Sequence, residues 1–222
     1  MRSPGADGRL IAVVGMVREA KIIAGDEITV VIGGGNAISL ERRLLAVLEQ
    51  HAGEPAAGLL SFGVCGALSP DLKPGDVVIG KTVIGESGRW MTDTAWSDRL
   101  TRALPRARVA DVAAGDAMVG SVEDKRTLLV RTGAAVVDME SHVVGRIADR
   151  CGLPFTVVRA VSDAADHTLP PAALAGLRPD GRPDIVAVLR ALAARPAQLP
   201  ALLRTARGAE AAFKALKGLD LR

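Results

Sequence analysis

Val136-Val137-Asp138-Met139-Glu140-Ser141-His142-Val143-Val144, followed at 154–166 by Pro-Phe-Thr-Val-Val-Arg-Ala-Val-Ser-Asp-Ala-Ala-Asp, decides the fold class of this chain. Twice, a run of β-branched apolar residues leads straight into carboxylates: Asp138 and Glu140 in the first case, Asp163 and Asp166 in the second. Short Val-rich runs of this kind are the mark of strands buried on both faces. An acid at the carboxyl end of such a strand stands where α/β sheets bind ligands. The helix-period stretch 140–151 between them completes a strand, helix, strand unit.

The same alternation extends outward. Leu10 to Met16, Ile28 to Ile32, Ala57 to Phe62 and Asp76 to Ile84 read as strands, each bounded by Gly, Pro or Asp, with further strands near 107–113, 133–138 and 154–161. Asn36 can cap a helix running to about Gln50, because Ile38, Leu44, Leu45 and Leu48 share one face while Glu41, Arg42, Arg43 and Glu49 share the other. Helices are also predicted near 97–104, 121–132 and 140–151. Gly85 to Thr94 has no clear period and reads as a loop able to cover a pocket. Pro170, Pro171, Pro179 and Pro183 mark a break before two terminal helices at 184–194 and 198–217. The expectation is one α/β domain over residues 1–222, with those helices as its C-terminal part.

Composition narrows the function. With 28 basic against 25 acidic residues the net charge is only +3, and the aromatic content is 2% with no Tyr, so neither a basic stripe nor a stacking platform for nucleic acid is present. Cys65 and Cys151 lie in apolar surroundings without metal or redox spacing, which predicts reduced thiols in the core of a cytoplasmic protein. The apolar run before Arg18 and Glu19 is only about seven residues, too short for a signal sequence or a membrane span.

Several groups could carry chemistry. Gly33-Gly34-Gly35-Asn36 follows a strand and opens a helix, but it lacks the spacing of a dinucleotide fingerprint and the Lys-Ser/Thr of a P-loop, so it reads as a tight turn. Gly63-Val64-Cys65-Gly66-Ala67 follows the third strand and would let a ligand approach the backbone closely, as it would also serve packing. Glu140 and Asp163 could each be no more than helix-end acids. Their pairing at the ends of neighbouring buried strands, with Glu19 after the first strand, favours a site. His142 and His167 belong to no nucleophile motif and read as structural. Arg159, inside an apolar strand, reads as a buried ion-pair partner for a nearby acid.

Met16-x-x-Glu19, Gly33-x-Gly35, Gly63-Val64-Cys65-Gly66, Gly115-Asp116-Ala117, Val137-Asp138-Met139-Glu140 and Val158-Arg159-Ala160-Val161-Ser162-Asp163-x-x-Asp166, in this order over about residues 10–168, resemble the nucleoside phosphorylase/nucleosidase family. That family includes the methylthioadenosine/S-adenosylhomocysteine nucleosidases and the purine nucleoside phosphorylases. The resemblance implies a three-layer α/β/α sandwich with a mixed, partly barrel-like central sheet, acting on the bond between a purine and a ribose. It puts Asp163 at the purine N7, Glu140 on the ribose hydroxyls, Met139 under the sugar and Glu19 on a water. Gly66, Met118, Asp138 and Ser162 then complete the substrate-binding set. It implies a small-molecule nucleoside with water or phosphate as co-substrate, no cofactor, no metal, and a homo-oligomer.

Phosphorylases that the chain resembles hold phosphate with an Arg and a Ser at the positions of Ser61 and Val64, so hydrolysis is favoured, with Arg18 or Arg89 as alternative sources of charge. Met118 stands where nucleosidases of the family often have an aromatic residue, which leaves apolar contact without stacking. From Arg195 onward a stripe of Leu199, Leu202, Leu203, Ala206, Phe213 and Leu216 resembles the hopanoid-associated phosphorylase branch, whose substrate is an adenosyl-lipid. That stripe is amphipathic and basic, so it packs either on the domain, on a second subunit or against a membrane surface. A non-catalytic nucleoside sensor on the same fold is the alternative function; a dehydrogenase lacks its glycine fingerprint.

Overall fold

The structure is a computed structural model and describes residues 8–50, 56–176, 180–182 and 184–219. Pro179, Pro183 and the opening residues 1–7, which entered the sequence argument, lie outside the described residues. In chain order the elements are β1 (Arg9–Val14), α1 (Val17–Ile23), β2 (Ile28–Ile32), α2 (Ala37–Gln50), β3 (Ala56–Ala67), β4 (Val77–Gly85), β5 (Gly88–Met91) and α3 (Thr94–Ala103). They continue as β6 (Arg108–Ala114), α4 (Val122–Thr132), β7 (Val136–Asp138), α5 (Ser141–Cys151), β8 (Phe155–Asp163), α6 (Pro171–Leu174), α7 (Ile185–Ala194), a 3₁₀ turn (Pro196–Gln198) and α8 (Leu199–Lys217).

Five strands close on themselves. β3 pairs antiparallel with β7, β7 parallel with β6, β6 parallel with β4, β4 antiparallel with β8, and β8 parallel with β3. β1 and then β2 extend the sheet in parallel beyond β3, and β5 hangs antiparallel on β4. This is the mixed, partly barrel-like sheet expected from the resemblance.

The period of two along β1 explains the layers. Ile11 and Val13 face α2 and α5, joining Leu40, Leu44, Val143, Val144 and Ile147 in one core. Ala12 and Val14 face the other way, joining Ile23 of α1, Trp96 and Leu100 of α3, and Phe213 and Leu216 of α8. A smaller core under α4 contains Leu68, Ile84, Ala113 and Val137, with Leu128 and Leu129 packed on it. Burying a side chain such as Phe213 or Leu216 contributes about 1.5–3 kcal/mol each, which fixes α8 to the domain. The C-terminal stripe is therefore divided: Phe213 and Leu216 are in the core, while Leu199, Leu203 and Ala206 are exposed. Among the described residues no single helix is long and apolar enough to cross a membrane.

Four details differ from the sequence reading. Gly63 to Ala67 is strand, not a segment after one, so the small residues lie inside β3. The segment 85–94 is a hairpin and not a covering loop: Ile84 pairs with Arg89 and Gly85 with Gly88, and Trp90 turns inward onto Gly145 of α5. Its four-residue strand alternates exposed, buried, exposed, too briefly for a period to show. Helix α1, which carries Glu19, was not expected. Cys151, expected in the core, is the exposed last residue of α5, whereas Cys65 is buried as expected.

Candidate active site

The carboxyl end of β1 runs through Gly15 into α1, and Glu19 is the third residue of that helix. Its side chain folds back over the helix start. Oε2 accepts from the Gly15 amide at 2.8 Å and the Met16 amide at 2.7 Å, and Oε1 accepts from the Val64 amide of β3 at 2.8 Å. Three backbone donors, two from the turn after β1 and one from within β3, thus converge on one buried carboxylate, an anion-binding concavity filled by the protein's own acid. Burial pushes the Glu19 carboxyl up from its usual range, against the opposing pull of Arg159 and the three amides. Gly63 makes this approach possible, since a Cβ there would stand 2.7 Å from Arg159 Nη1 and collide with Glu19.

Arg159 of β8 is the charge at the centre, fully buried as the sequence reading expected of an ion-pair partner. Nε lies 2.8 Å from Asp138 Oδ2 and Nη2 lies 3.3 Å from Glu140 Oε2. Nη2 also donates to Ser61 Oγ at 2.7 Å, and Ser61 Oγ is 2.9 Å from Ser141 Oγ. Burial works against the guanidinium's charge, yet Asp138, Glu140 and Glu19 more than offset it and hold its pKa above the usual value. Ser61 and Val64, the two positions read as a dismantled phosphate site, are both committed inside this network. Arg18 is engaged elsewhere, paired with Glu210 of α8 and stacked on Phe213 at 4.0 Å, and Arg89 is exposed on β5.

Asp138 and Glu140 divide the work at the start of α5. Asp138 caps the helix: Oδ1 accepts from the Ser141 amide at 2.9 Å and the Glu140 amide at 3.1 Å, while Ser141 Oγ donates to Oδ2. The cap of α5 is thus Asp138, a residue expected to bind substrate, and not Glu140, which sequence reasoning weighed as a helix-end acid. Glu140 makes no cap bond; its carboxylate reaches back towards Gly15, where an added Cβ would meet Oε1 at 2.7 Å. Burial raises the Glu140 carboxyl to about 7, helped by Asp138 and Glu19 and opposed by Arg159.

That elevation has a stability consequence. The folded chain holds the Glu140 proton more tightly than the unfolded chain, so the contribution is largest below the ordinary value of 4.5 and is lost as pH rises through about 7. Glu140→Gln is therefore expected to gain stability relative to the natural protein across that window, by up to about 3 kcal/mol, and to show a constant difference above it. Urea unfolding at several pH values checks this; a difference independent of pH would refute it.

Asp163 ends β8. An irregularity between Cys65 and Gly66 leaves Ser162 unpaired, with Gly63 opposite Arg159 and Gly66 opposite Asp163. Such a bulge re-aims the side chains beside it. Ser162 Oγ lies 2.7 Å from Asp163 Oδ1 and 3.1 Å from the Cys65 carbonyl, and a Cβ on Gly66 would stand 3.1 Å from Asp163 Oδ2. On its other side Asp163 meets Lys125 of α4, whose Nζ is 2.5 Å from Oδ2. Sequence reasoning missed Lys125. Its one signal was a Lys near the start of a helix, where the helix dipole disfavours a cation.

The remaining expected residues are spread around this centre. Met139, half-buried, stands between Asp138 and Glu140. Met118 is exposed and lines a concavity of about 720 Å³ together with Gly115, Asp116, Leu128, Arg131 and Val137, and Val137 pairs with Gly66 across β3 and β7. The three acids do not line that concavity. His142 Nε2 lies 2.8 Å from Asp116 Oδ1, and His167 Nε2 lies 3.0 Å from Thr205 Oγ1 of α8. Gly33-Gly34-Gly35 is the tight turn expected: the Gly33 and Gly34 amides donate to Val14 and Gly15, and Asn36 Oδ1 caps α2 through the Ser39 amide. Glu140 thus pairs with the Arg159 guanidinium, whose charge also acts on Glu19, and Asp163 ends the strand that carries Arg159, β8. Such a set can hold a polar ligand, orient water and exchange a proton.

Comparison with known proteins bears on the family and the fold. A 5′-methylthioadenosine/S-adenosylhomocysteine nucleosidase of Staphylococcus haemolyticus is 24% identical over 130 residues, covering 49% of this chain and 57% of that protein. Its counterpart from Staphylococcus aureus strain JH9 is 27% identical over the same length and coverage, so the chain spans little more than half of the curated relatives it matches. Among solved structures, a Helicobacter pylori 5′-methylthioadenosine/S-adenosyl homocysteine nucleosidase superimposes with a TM-score of 0.68 at 17% identity, over 96% of this chain and 97% of the other. The futalosine hydrolase of Helicobacter pylori strain 26695 does so with a TM-score of 0.63 at 17% identity, over 95% and 96%. At that identity the superpositions speak for the fold. The sequence profile of the Phosphorylase superfamily matches residues 12–199, well over half of the chain, and the protein belongs to that family.

Proposed function

We propose that the protein cleaves the N-glycosidic bond of a purine nucleoside with water and releases the free base. The observation that carries the choice of water is the Glu19 carboxylate seated on the amides of Gly15, Met16 and Val64. An anionic co-substrate would have to compete with that carboxylate for the same donors, with Ser61 in place of a cationic fork. An adenosyl-type substrate is supported by the nucleosidases among its relatives.

Loss of a base from ribose builds positive charge on the sugar and negative charge on the base. Asp163 gives its proton to N7 as the C1′–N9 bond breaks and its electron pair passes to the base. Water adds to C1′ and releases its proton to Glu19, whose burial raises the carboxyl from its usual range and so makes it a stronger proton acceptor. Glu140 accepts hydrogen bonds from the ribose hydroxyls, with Met139 against the sugar. Gly66 and Ser162 border the base at Asp163, Met118 supplies apolar contact, and Asp138 holds Glu140 and Arg159 in place. The same reading includes self-association of the chain.

Purified protein incubated with adenosine-type nucleosides is expected to release base at the same rate with and without phosphate, leaving free sugar. Chromatography of base and sugar products measures this. Release that requires phosphate and yields ribose 1-phosphate would replace the hydrolytic reading with a phosphorolytic one.

A further inference from the structure

Lys125 is among the largest fully buried side chains of the molecule, at 0% exposure. All three of its N–H bonds are used: Nζ donates to Asp163 Oδ2 at 2.5 Å, to the Ala164 carbonyl at 2.8 Å and to the His167 carbonyl at 2.9 Å. It sits in the first turn of α4, where the positive end of the helix dipole opposes a cation. Burying an ammonium there is costly, and a buried ion pair is a poor source of net stability against an apolar substitute. The arrangement nevertheless does something no apolar residue could: it clamps the chain at 163–167 to α4 and presses a full positive charge on one oxygen of Asp163.

We propose that Lys125 is a positioning residue that acts on base release through Asp163. This rests on the hydrolytic reading above. When Asp163 passes its proton to N7, its own oxygens take up the negative charge, and the ammonium is already in place to stabilise it without reorganisation. Lys125 therefore stands against the charge that Asp163 gains as its proton leaves. It also directs the carboxyl: Oδ2 is held by Lys125 and Oδ1 by Ser162, so the remaining lone-pair directions are those left for the base. The other titratable and charged groups around this pair are Cys65 from β3, His167 and Asp166 from the segment after β8, Arg204 from α8, and Asp124 on Lys125's own helix, bonded to Ser121.

The test is a pair of variants, Lys125→Met and Lys125→Arg, each compared with the natural protein for folding by circular dichroism and thermal unfolding. Lys125→Met removes the charge and is expected to lower kcat by about 10²-fold with KM little changed. The alkaline limb of kcat, where the general acid loses its proton, should move upward by at least one unit, because an acid without its cation holds its proton longer. Lys125→Arg keeps the charge and should recover the limb and part of the rate. The Asp163 carboxyl, followed by ¹³C NMR in the natural protein and in Lys125→Met, should show the same upward displacement, and that measurement needs no turnover. A folded Lys125→Met protein in which neither the limb nor the carboxyl titration moves overturns the proposal, whatever happens to the rate. Absence of any nucleoside cleavage by the natural protein would remove the hydrolytic reading instead, and the carboxyl titration would still decide whether Lys125 sets the acidity of Asp163.

Discussion

Asp163→Asn is expected to lower kcat for base release by about 10³-fold or more while KM changes by less than about threefold. The asparagine has the same shape and can keep its oxygen towards Lys125 and its amide within reach of the base. It has no proton to give. General acid catalysis contributes roughly 10²–10⁴-fold, and without it the leaving base must depart as an anion. The prediction separates chemistry from binding, because the proposed function gives ground-state recognition of the sugar to Glu140 and Met139, which the substitution leaves in place. Steady-state kinetics with a purine nucleoside measure it, alongside thermal unfolding, since the variant leaves the buried Lys125 ammonium without its counter-ion. A folded Asp163→Asn protein with near-natural turnover would remove Asp163 from the reaction.

The second large effect concerns stability. Arg159→Met should cost about 3–5 kcal/mol at neutral pH, because it strips from Asp138, Glu140 and Glu19 the buried cation that lies among them. Methionine fills much of the same space, so lost packing is minor and the loss measures uncompensated negative charge. Three buried carboxylates without a cation take up protons more readily, so the cost should shrink on acidification. Urea unfolding at pH 5 and pH 8 checks both statements. An equal loss at the two pH values, or a loss under about 1 kcal/mol, would mean that the guanidinium is not what holds these acids together.

Much of this was readable in the residues themselves. β1, β2, α2, α4, α5 and β8 were expected where they are found, because each has a long, unbroken period and a clear boundary residue, as with Asn36 before α2. The hairpin strand β5 was lost because four residues with one buried Trp carry no measurable period, and α1 because its seven residues follow a strand without a polar cap. Arg159 was correctly read as an ion-pair partner, since a lone cation in an apolar strand has to be neutralised. Lys125 was passed over because its one local sign, a place near a helix start, does not by itself distinguish a surface lysine from a buried one. Its counter-ion lies 38 residues away in the chain.

Taken alone, the order of apolar runs and carboxylates determined the α/β class, the strands that end in acids, and which acids to examine. Periodicity records whether a side chain faces a core, and that is a local property. Tertiary structure alone decided the closure of five strands into a barrel, the seating of Glu19 on amides of the β1–α1 turn and of β3, the capping of α5 by Asp138, and the pairing of Lys125 with Asp163. Each depends on groups distant in sequence meeting within hydrogen-bond reach, where low local polarity turns a neighbouring charge into a controlling one.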